Sequence, residues 1–291
     1  MPKFVFLLAI GLSISCRATF AACTSIPGAD QIWSNKQVHW VVVGEDHGSN
    51  ETPAAFLDLV CDALARGKNV TVALERPTSE QAALDGVLVA RNPAEAQQEL
   101  LKQPDWKKGM DGRASKAMLR LLFSLRELRM VHADLSVAAF DTPYKAGDDP
   151  GARDEAMGRA LLALGKAYPD RLVLVLCGNI HAMQAPMFGH DVAAMYIPME
   201  RRLSLEVTDL GGETWVESNG GCGPMKAGVK EKGQTSPRGI YLDPTLAPYG
   251  KVDGILALGV PLSASEPAAG DPDPLPECRK KFLSTPSGAE K

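Results

Sequence analysis

The chain has 291 residues, enough for one or two domains. Hydrophobic residues make up 45% and charged residues 23%, the balance of a globular protein with a real core rather than a disordered or fibrous one. The net charge of −4 gives no basic footprint, so the composition speaks against a nucleic-acid partner.

The first segment reads as a secretory signal peptide over 1–21. Lys3 precedes an apolar run from Phe4 to Ile14, and Thr19-Phe20-Ala21 places small side chains at a cleavage site. The run falls short of the roughly 20 residues that span a bilayer, and no later stretch is long and uncharged enough, so no transmembrane segment is expected in the mature protein. An alternative is a lipoprotein, with Leu12-Ser13-Ile14-Ser15-Cys16 as a loose lipobox and Cys16 as the acylated residue. Export, to the periplasm or the medium, implies an oxidising compartment where cysteines pair. Cys23–Cys61 and Cys222–Cys278 are the expected bonds, with Cys177 free in a buried strand, although spacing alone does not prove a pairing.

From 38 to about 200, short apolar runs alternate with helical patterns, which predicts an α/β fold with a mostly parallel sheet flanked by helices. Val38–Val43 reads as the first strand and delivers Gly44-Glu45-Asp46-His47-Gly48. Thr52-Pro53 opens a helix, with Thr52 as its cap, that ends at Gly67. Val70–Leu74 is the second strand and delivers Glu75-Arg76. Ser79 to Leu101 is helical in character, and Asp105 to Arg113 reads as a loop. Ser115 to Arg129 is a strongly amphipathic helix. Leu135–Phe140 is the third strand, ending at Asp141, and Asp154 to Ala167 the next helix. Arg171–Leu176 is the fourth strand, followed by Gly178-Asn179-Ile180-His181, and Ala193–Ile197 the fifth. Leu203–Val207 and Glu213–Glu217 are expected to form a C-terminal β-hairpin around Asp209-Leu210-Gly211-Gly212. Asn219 to Pro237 reads as loop and Gly254–Gly259 as a last strand. The expected organisation is a single domain over 22–262, with a core at 38–200, and a loop-rich Pro/Ala tail over 263–291 that is mobile and tethered by Cys278.

Both histidine turns follow one pattern: strand, Gly, two residues, His. In an open parallel sheet the carboxyl ends of the strands form the ligand crevice, and four successive ends carry His47, Glu75, Asp141 and His181. Imidazole is the side chain best suited to proton transfer near neutral pH and is also a common metal ligand.

Together, Gly44-Glu45-Asp46-His47, Glu75-Arg76, Arg153-Asp154-Glu155-Ala156-Met157 and Gly178-Asn179-Ile180-His181 resemble the superfamily of erythromycin esterases, Tiki and TraB proteins and ChaN-like haem-binding lipoproteins. The resemblance covers about 38–200. It implies an α/β fold with the site at the strand ends. It leaves the activity open, because members include antibiotic esterases, metal-dependent proteases and haem binders.

The residues themselves allow several roles. His47 is a general base for water or a metal ligand, and Glu45 orients it or acts as base itself. Glu75 is a base or ligand, with Arg76 or Arg153 as its partner, because a charge beside Val72-Ala73-Leu74 is costly unless paired. His181 binds a metal or a substrate anion, and Asn179 donates to an oxyanion. Arg153 holds a carboxylate or the substrate, whereas Asp154 reads as a helix cap. Asp111 and Arg113 form a loop pair able to reach the cleft. His39, His132 and His190 have no matching motif and read as structural or surface residues. Cys177 sits in no nucleophile elbow.

The leading expectation is an exported hydrolase of a small-molecule or peptide ester or amide. Water is activated by His47 with Glu45 or Glu75, with or without a divalent metal (Zn, Mn or Fe) on His47, Glu75 and His181. The alternative is a haem- or metal-binding protein without catalysis.

Overall fold

The computed structural model describes residues 23–108, 112–143, 148–218, 221–227 and 236–269. The expected signal peptide, Cys16, Asp111 and Cys278 lie outside the described residues. In chain order the elements are α1 Asp30–Ser34, β1 Trp40–Glu45, α2 Glu51–Ala65, β2 Val70–Pro77, α3 Gln81–Val89, α4 Pro93–Leu101, α5 Pro104–Lys108, α6 Lys116–Arg129 and β3 Ser136–Asp141. Then come α7 Pro150–Ala167, β4 Leu172–Gly178, α8 Asn179–Ala182, β5 Arg202–Thr208, β6 Glu213–Ser218, β7 Gly221–Lys226, β8 Gly239–Tyr241 and β9 Gly254–Ala257. No helix among the described residues is long and apolar enough to cross a membrane.

Seven strands form one sheet in the order β3-β2-β4-β1-β5-β9-β8. All neighbours run parallel except β8, which is antiparallel to β9. The apolar runs of β1 and β4 explain their central places: both are covered on both faces, as parallel strands must be. Side chains alternate across the sheet. Val41, Val43, Val72 and Leu74 join Phe56 and Leu59 of α2, Leu84 of α3 and Leu122 of α6 on one face. Trp40, Val42, Val173 and Val175 join Met157 and Leu161 of α7 on the other. The chain passes from β1 to β2 over the position that β4 later fills, and then crosses back to β5 on the far side of β1. The ends of β1 and β4 therefore flank the point where the winding reverses, which is the crevice position in such sheets.

Several elements differ from their sequence reading. Ala193–Ile197 is not a strand. Residues Ala193–Tyr196 form a 3-10 turn, because Asp154 Oδ1 accepts from the Ala193 N–H at 2.9 Å and starts a helical turn there. The fifth strand is instead β5, buried along its length between β1 and β9. The C-terminal hairpin pairs β6 with β7, not 203–207 with 213–217. Gly211 and Gly212, with φ of 82° and 107°, carry the chain out of the sheet at the point where it was expected to fold straight back. Gly221-Cys222-Gly223-Pro224 has no β-branched run, so its strand is silent in the sequence. α7 starts earlier than expected, capped by Asp149 accepting from the Gly151 N–H at 2.9 Å, so Asp154 is not a cap. Thr52 is not the cap of α2 either; Ser49 Oγ accepts from the Thr52 N–H at 3.2 Å.

Cys23 and Cys61 are bonded, and Cys177 is free and buried. Cys222 is disulfide-bonded, and its expected partner Cys278 lies outside the described residues. The stretch expected to be a mobile tail begins as part of the domain. The Ser265 N–H donates to Gly48 O at 2.8 Å and the Ala268 N–H to Ala114 O at 2.9 Å, and Ser265 and Ala268 are buried.

Candidate functional site

The register of β1 on β4 sets Gly44 beside Cys177 and Glu45 beside Gly178, so the two Gly-x-x-His turns leave the sheet side by side. Gly44 permits that approach, because a Cβ there would lie 2.8 Å from the Ala182 Cβ. At Gly178 a Cβ would sit 3.1 Å from His47 Nε2, pressing on the ring. Gly48 turns the chain at φ 91°, and its backbone is clamped by the Trp215 N–H of β6, which donates to Gly48 O at 2.9 Å.

Glu75, on β2, is the centre of the site. Its carboxylate accepts from Arg113 Nη1 at 2.8 Å, Arg153 Nη2 at 2.8 Å and the Gly178 N–H at 2.6 Å. His47 Nε2 lies 3.4 Å from Oε2 and His181 Nε2 3.8 Å from Oε1. Two imidazoles far apart in sequence thus meet at one carboxylate. Glu45 faces the other nitrogen of His47, with Nδ1 to Oε1 at 3.0 Å. Asp141, at the end of β3, accepts from Arg153 Nε at 2.9 Å, Arg153 Nη2 at 2.7 Å and Arg113 Nη1 at 3.2 Å. Behind His181, Asp154 Oδ1 lies 2.6 Å from Nδ1, and its Oδ2 lies 3.2 Å from His190 Nε2. Arg153 Nη1 stands 3.1 Å from His181 Nε2. Guanidinium only donates and Asp154 accepts, which places the His181 ring proton on Nδ1 and its lone pair on Nε2.

The expected residues Glu45, His47, Glu75, Arg153 and His181 therefore come together, with Asp141 beside them. Asn179 does not join them as an oxyanion donor. It is buried, and its Nδ2 donates to Asp46 Oδ1 at 2.7 Å, bracing the first turn against the second. Arg76 is not the partner of Glu75. Adjacent strand residues face opposite sides, and Arg76 forks onto Glu80 at 2.8 and 2.7 Å with Trp106 under its guanidinium. Arg113 reaches the site as its place in the loop suggested. His190 and Asp154 are the residues the sequence reading missed. Asp154 is three residues before Met157 in a helix whose true start at Pro150 leaves its carboxylate free to reach the site, and nothing in the sequence sets His190 apart.

The charges decide the chemistry. Burial pulls the His47 pKa down, but the Glu75 charge and the bonds to Glu45 and Glu75 outweigh it and push it up to about 10. Burial pushes the Glu45 carboxyl above the usual range, more strongly than His47 lowers it. Burial would also raise Glu75, but the positive charge around it, His47 first and Arg113 with it, holds it well below the carboxylate range. Burial drives the Cys177 thiol well above its ordinary value, with the Glu75 and Glu45 charges adding to it, so it is no nucleophile. Side chains of Arg113 and His47 are 27% and 24% exposed, against 4% for Glu75, so a substrate meets the first two and not the carboxylate.

These groups do not fit a divalent metal. Glu75 already faces two guanidiniums, and the Nε2 of His181 faces Arg153, so an added cation at that point meets positive charge on two sides. Among the described residues, no three His, Cys, Asp or Glu side chains stand in an arrangement that holds a metal ion.

No protein-family model matches the chain, and no curated protein matches its sequence. Solved structures do match in shape. The erythromycin esterase EreC in its open conformation aligns over 82% of this chain and 94% of its own, with 10% identity and a TM-score of 0.58. A succinoglycan biosynthesis protein aligns over 81% and 91%, with 9% identity and a TM-score of 0.64. A Bacillus cereus protein aligns over 82% and 93%, with 14% identity and a TM-score of 0.54. In architecture the chain is similar to an erythromycin esterase and to these two proteins across most of their length.

Proposed function

We propose that the chain is an exported hydrolase in which the Glu45–His47 pair takes a proton from water attacking an ester carbonyl, without a metal. The observation that carries this reading is His47 itself, held between Glu45 at Nδ1 and Glu75 at Nε2 on a partly exposed turn. Glu45 accepts the hydrogen bond from Nδ1–H and fixes the ring, as the carboxylate of a hydrolytic triad does. Nε2 takes the water proton, and the hydroxide forms a bond to the carbonyl carbon. Glu75 stabilises the imidazolium this creates. Arg113 and Arg153 stabilise the negative oxygen of the tetrahedral adduct. The adduct expels the alkoxide, which takes the proton back from Nε2. At pH 7 a ring with a pKa of about 10 is neutral in about one molecule in a thousand. The base is thus scarce but strong, and the chemistry is favoured by alkaline conditions.

The fold it shares with an erythromycin esterase supports the hydrolase class, and the Cys23–Cys61 bond supports export to an oxidising compartment. The test is hydrolysis of p-nitrophenyl esters and of erythromycin by the purified protein, with and without EDTA. Turnover that survives EDTA and drops by about a hundredfold or more in His47→Ala is expected. Turnover abolished by EDTA, or unchanged in both His47→Ala and Glu45→Gln, would overturn the reading.

A further inference from the structure

Between α8 and the 3-10 turn at Ala193, the chain makes a tight reversal. The Met187 N–H donates to His190 O at 2.9 Å and the His190 N–H to Met187 O at 3.0 Å, closing a two-residue turn over Phe188 and Gly189. Both turn residues have positive φ, 50° and 87°. Such a turn favours Asn-Gly, and a bulky aromatic at its first position is strained. Among the described residues Phe188 is the one non-glycine with positive φ, and the residue is 79% exposed. It contributes nothing to the core that would offset the strain. A strained conformation that the fold retains is a pointer to function.

The same turn is tied to the site. His190 Nε2 lies 3.2 Å from Asp154 Oδ2, and the other oxygen of that buried carboxylate lies 2.6 Å from His181 Nδ1. α7 packs against His190 closely enough that a Cβ on Gly151 would lie 3.1 Å from the His190 Cβ. The exposed ring therefore stands two residues from a group that shares one carboxylate with His181.

We propose that the Met187–His190 turn is the substrate-recognition element of this site: Phe188 covers an apolar chain or ring on the acyl half of the ester, and His190 is a positioning residue that ties the turn to His181 through Asp154. The inference deepens the hydrolase reading and rests on it. An acyl chain several carbons long has apolar surface to lay on the ring, whereas an acetyl group has little to offer it. Movement of the turn is felt at the His181 ring, because the two imidazoles share Asp154, and through it at Glu75, whose Oε1 lies 3.8 Å from His181 Nε2 and which holds His47.

The experiment pairs kinetics with histidine-ring NMR. Phe188→Asn suits the turn and removes the aromatic surface. It is expected to raise KM for p-nitrophenyl octanoate by about tenfold or more and KM for p-nitrophenyl acetate by a much smaller factor. His190→Ala is expected to shift the His181 Nδ1–H resonance and lower kcat for both esters, and His190→Gln, which keeps a donor to Asp154, to restore both. Equal losses on the two esters in Phe188→Asn, or an unmoved His181 resonance in His190→Ala, overturn the proposal. Octanoate titrated against the wild type separates the two readings. If neither ester is hydrolysed but octanoate still shifts the Phe188 and His181 signals where acetate does not, the recognition element stands and the hydrolase reading falls. If octanoate shifts neither signal, the recognition element falls with it.

Discussion

His47 carries its proton because two carboxylates face its two nitrogens, and this fixes the pH behaviour of both rate and stability. The rate of ester hydrolysis is expected to rise about tenfold per pH unit between pH 7 and 9, bending over near the His47 pKa of about 10. A flat or falling profile across that range rules out His47 as the base. The stability effect has the opposite sign. The folded-state pKa is raised above the ordinary value of 6.5, so this contribution is complete below about pH 6.5 and disappears as pH climbs through about 10. Glu75→Gln separates the causes. It removes the largest upward push on His47, so the ring should titrate closer to 6.5 by NMR. It also leaves Arg113 and Arg153 facing a neutral amide, at a cost of about 3 kcal/mol in urea unfolding. An unmoved titration in that variant would show that Glu45 alone holds the proton. Much of this cluster was legible in the sequence. A Gly-x-x-His turn after an apolar strand marks a side chain at the crevice edge, and Glu75 stands out as a charge beside a buried run. His190 was not legible, because its role depends on sharing Asp154 with His181 across α7, a contact with no local pattern.

At the level of elements, the turn after β1 is the most constrained piece. Gly48 has φ 91°, and a Cβ there would lie 2.0 Å from Trp215 O, a backbone atom of β6 that cannot swing aside. Gly48→Ala should therefore lose about 3 kcal/mol and displace His47, losing stability and turnover together. Gly165→Ala is the comparison. A Cβ there, on α7, would strike the buried Trp40 ring at 2.0 Å, at the end of β1 opposite the histidine turn. It should lose stability on a similar scale with kcat near wild type below its unfolding midpoint. Similar turnover losses in both would mean that the site senses any core disturbance and that the Gly48 turn has no special part. The same contrast explains where sequence reading of elements worked. β1, β2 and β4 were legible because their β-branched and leucine runs are buried on both faces, and β3 because Val137-Ala138-Ala139-Phe140 is an unbroken apolar run. β5 was read as half of a hairpin, because the alternation of Leu203, Leu205 and Val207 with polar residues looks like an exposed strand. Its polar residues Ser204, Glu206 and Thr208 are in fact buried beside β1 and β9. The 3-10 turn at Ala193 was read as a strand because its trigger, the Asp154 carboxylate, comes from another helix.

Across the whole molecule, stability and chemistry are held at different places. The site gathers at the carboxyl ends of β3, β2, β4 and β1, whereas the Cys23–Cys61 bond ties the start of the described chain to α2, which packs on one face of the sheet. That bond closes a loop with a sequence separation of 38. On the chain-entropy model, a loop of that size restricts the unfolded chain enough to contribute about 4 kcal/mol. Cys23→Ser removes this bond and leaves Cys222 as it is. Urea unfolding should therefore show a lower midpoint, with a slope that changes little, because the folded surface is nearly the same. Turnover measured well below the new midpoint should match the wild type, because neither cysteine touches Glu75, His47 or His181. The ester panel and the pH profile should also be unchanged. A variant that remains folded by circular dichroism but loses turnover would contradict this division, and would mean that the anchoring of α2 sets the geometry of the Gly48 turn at its amino end.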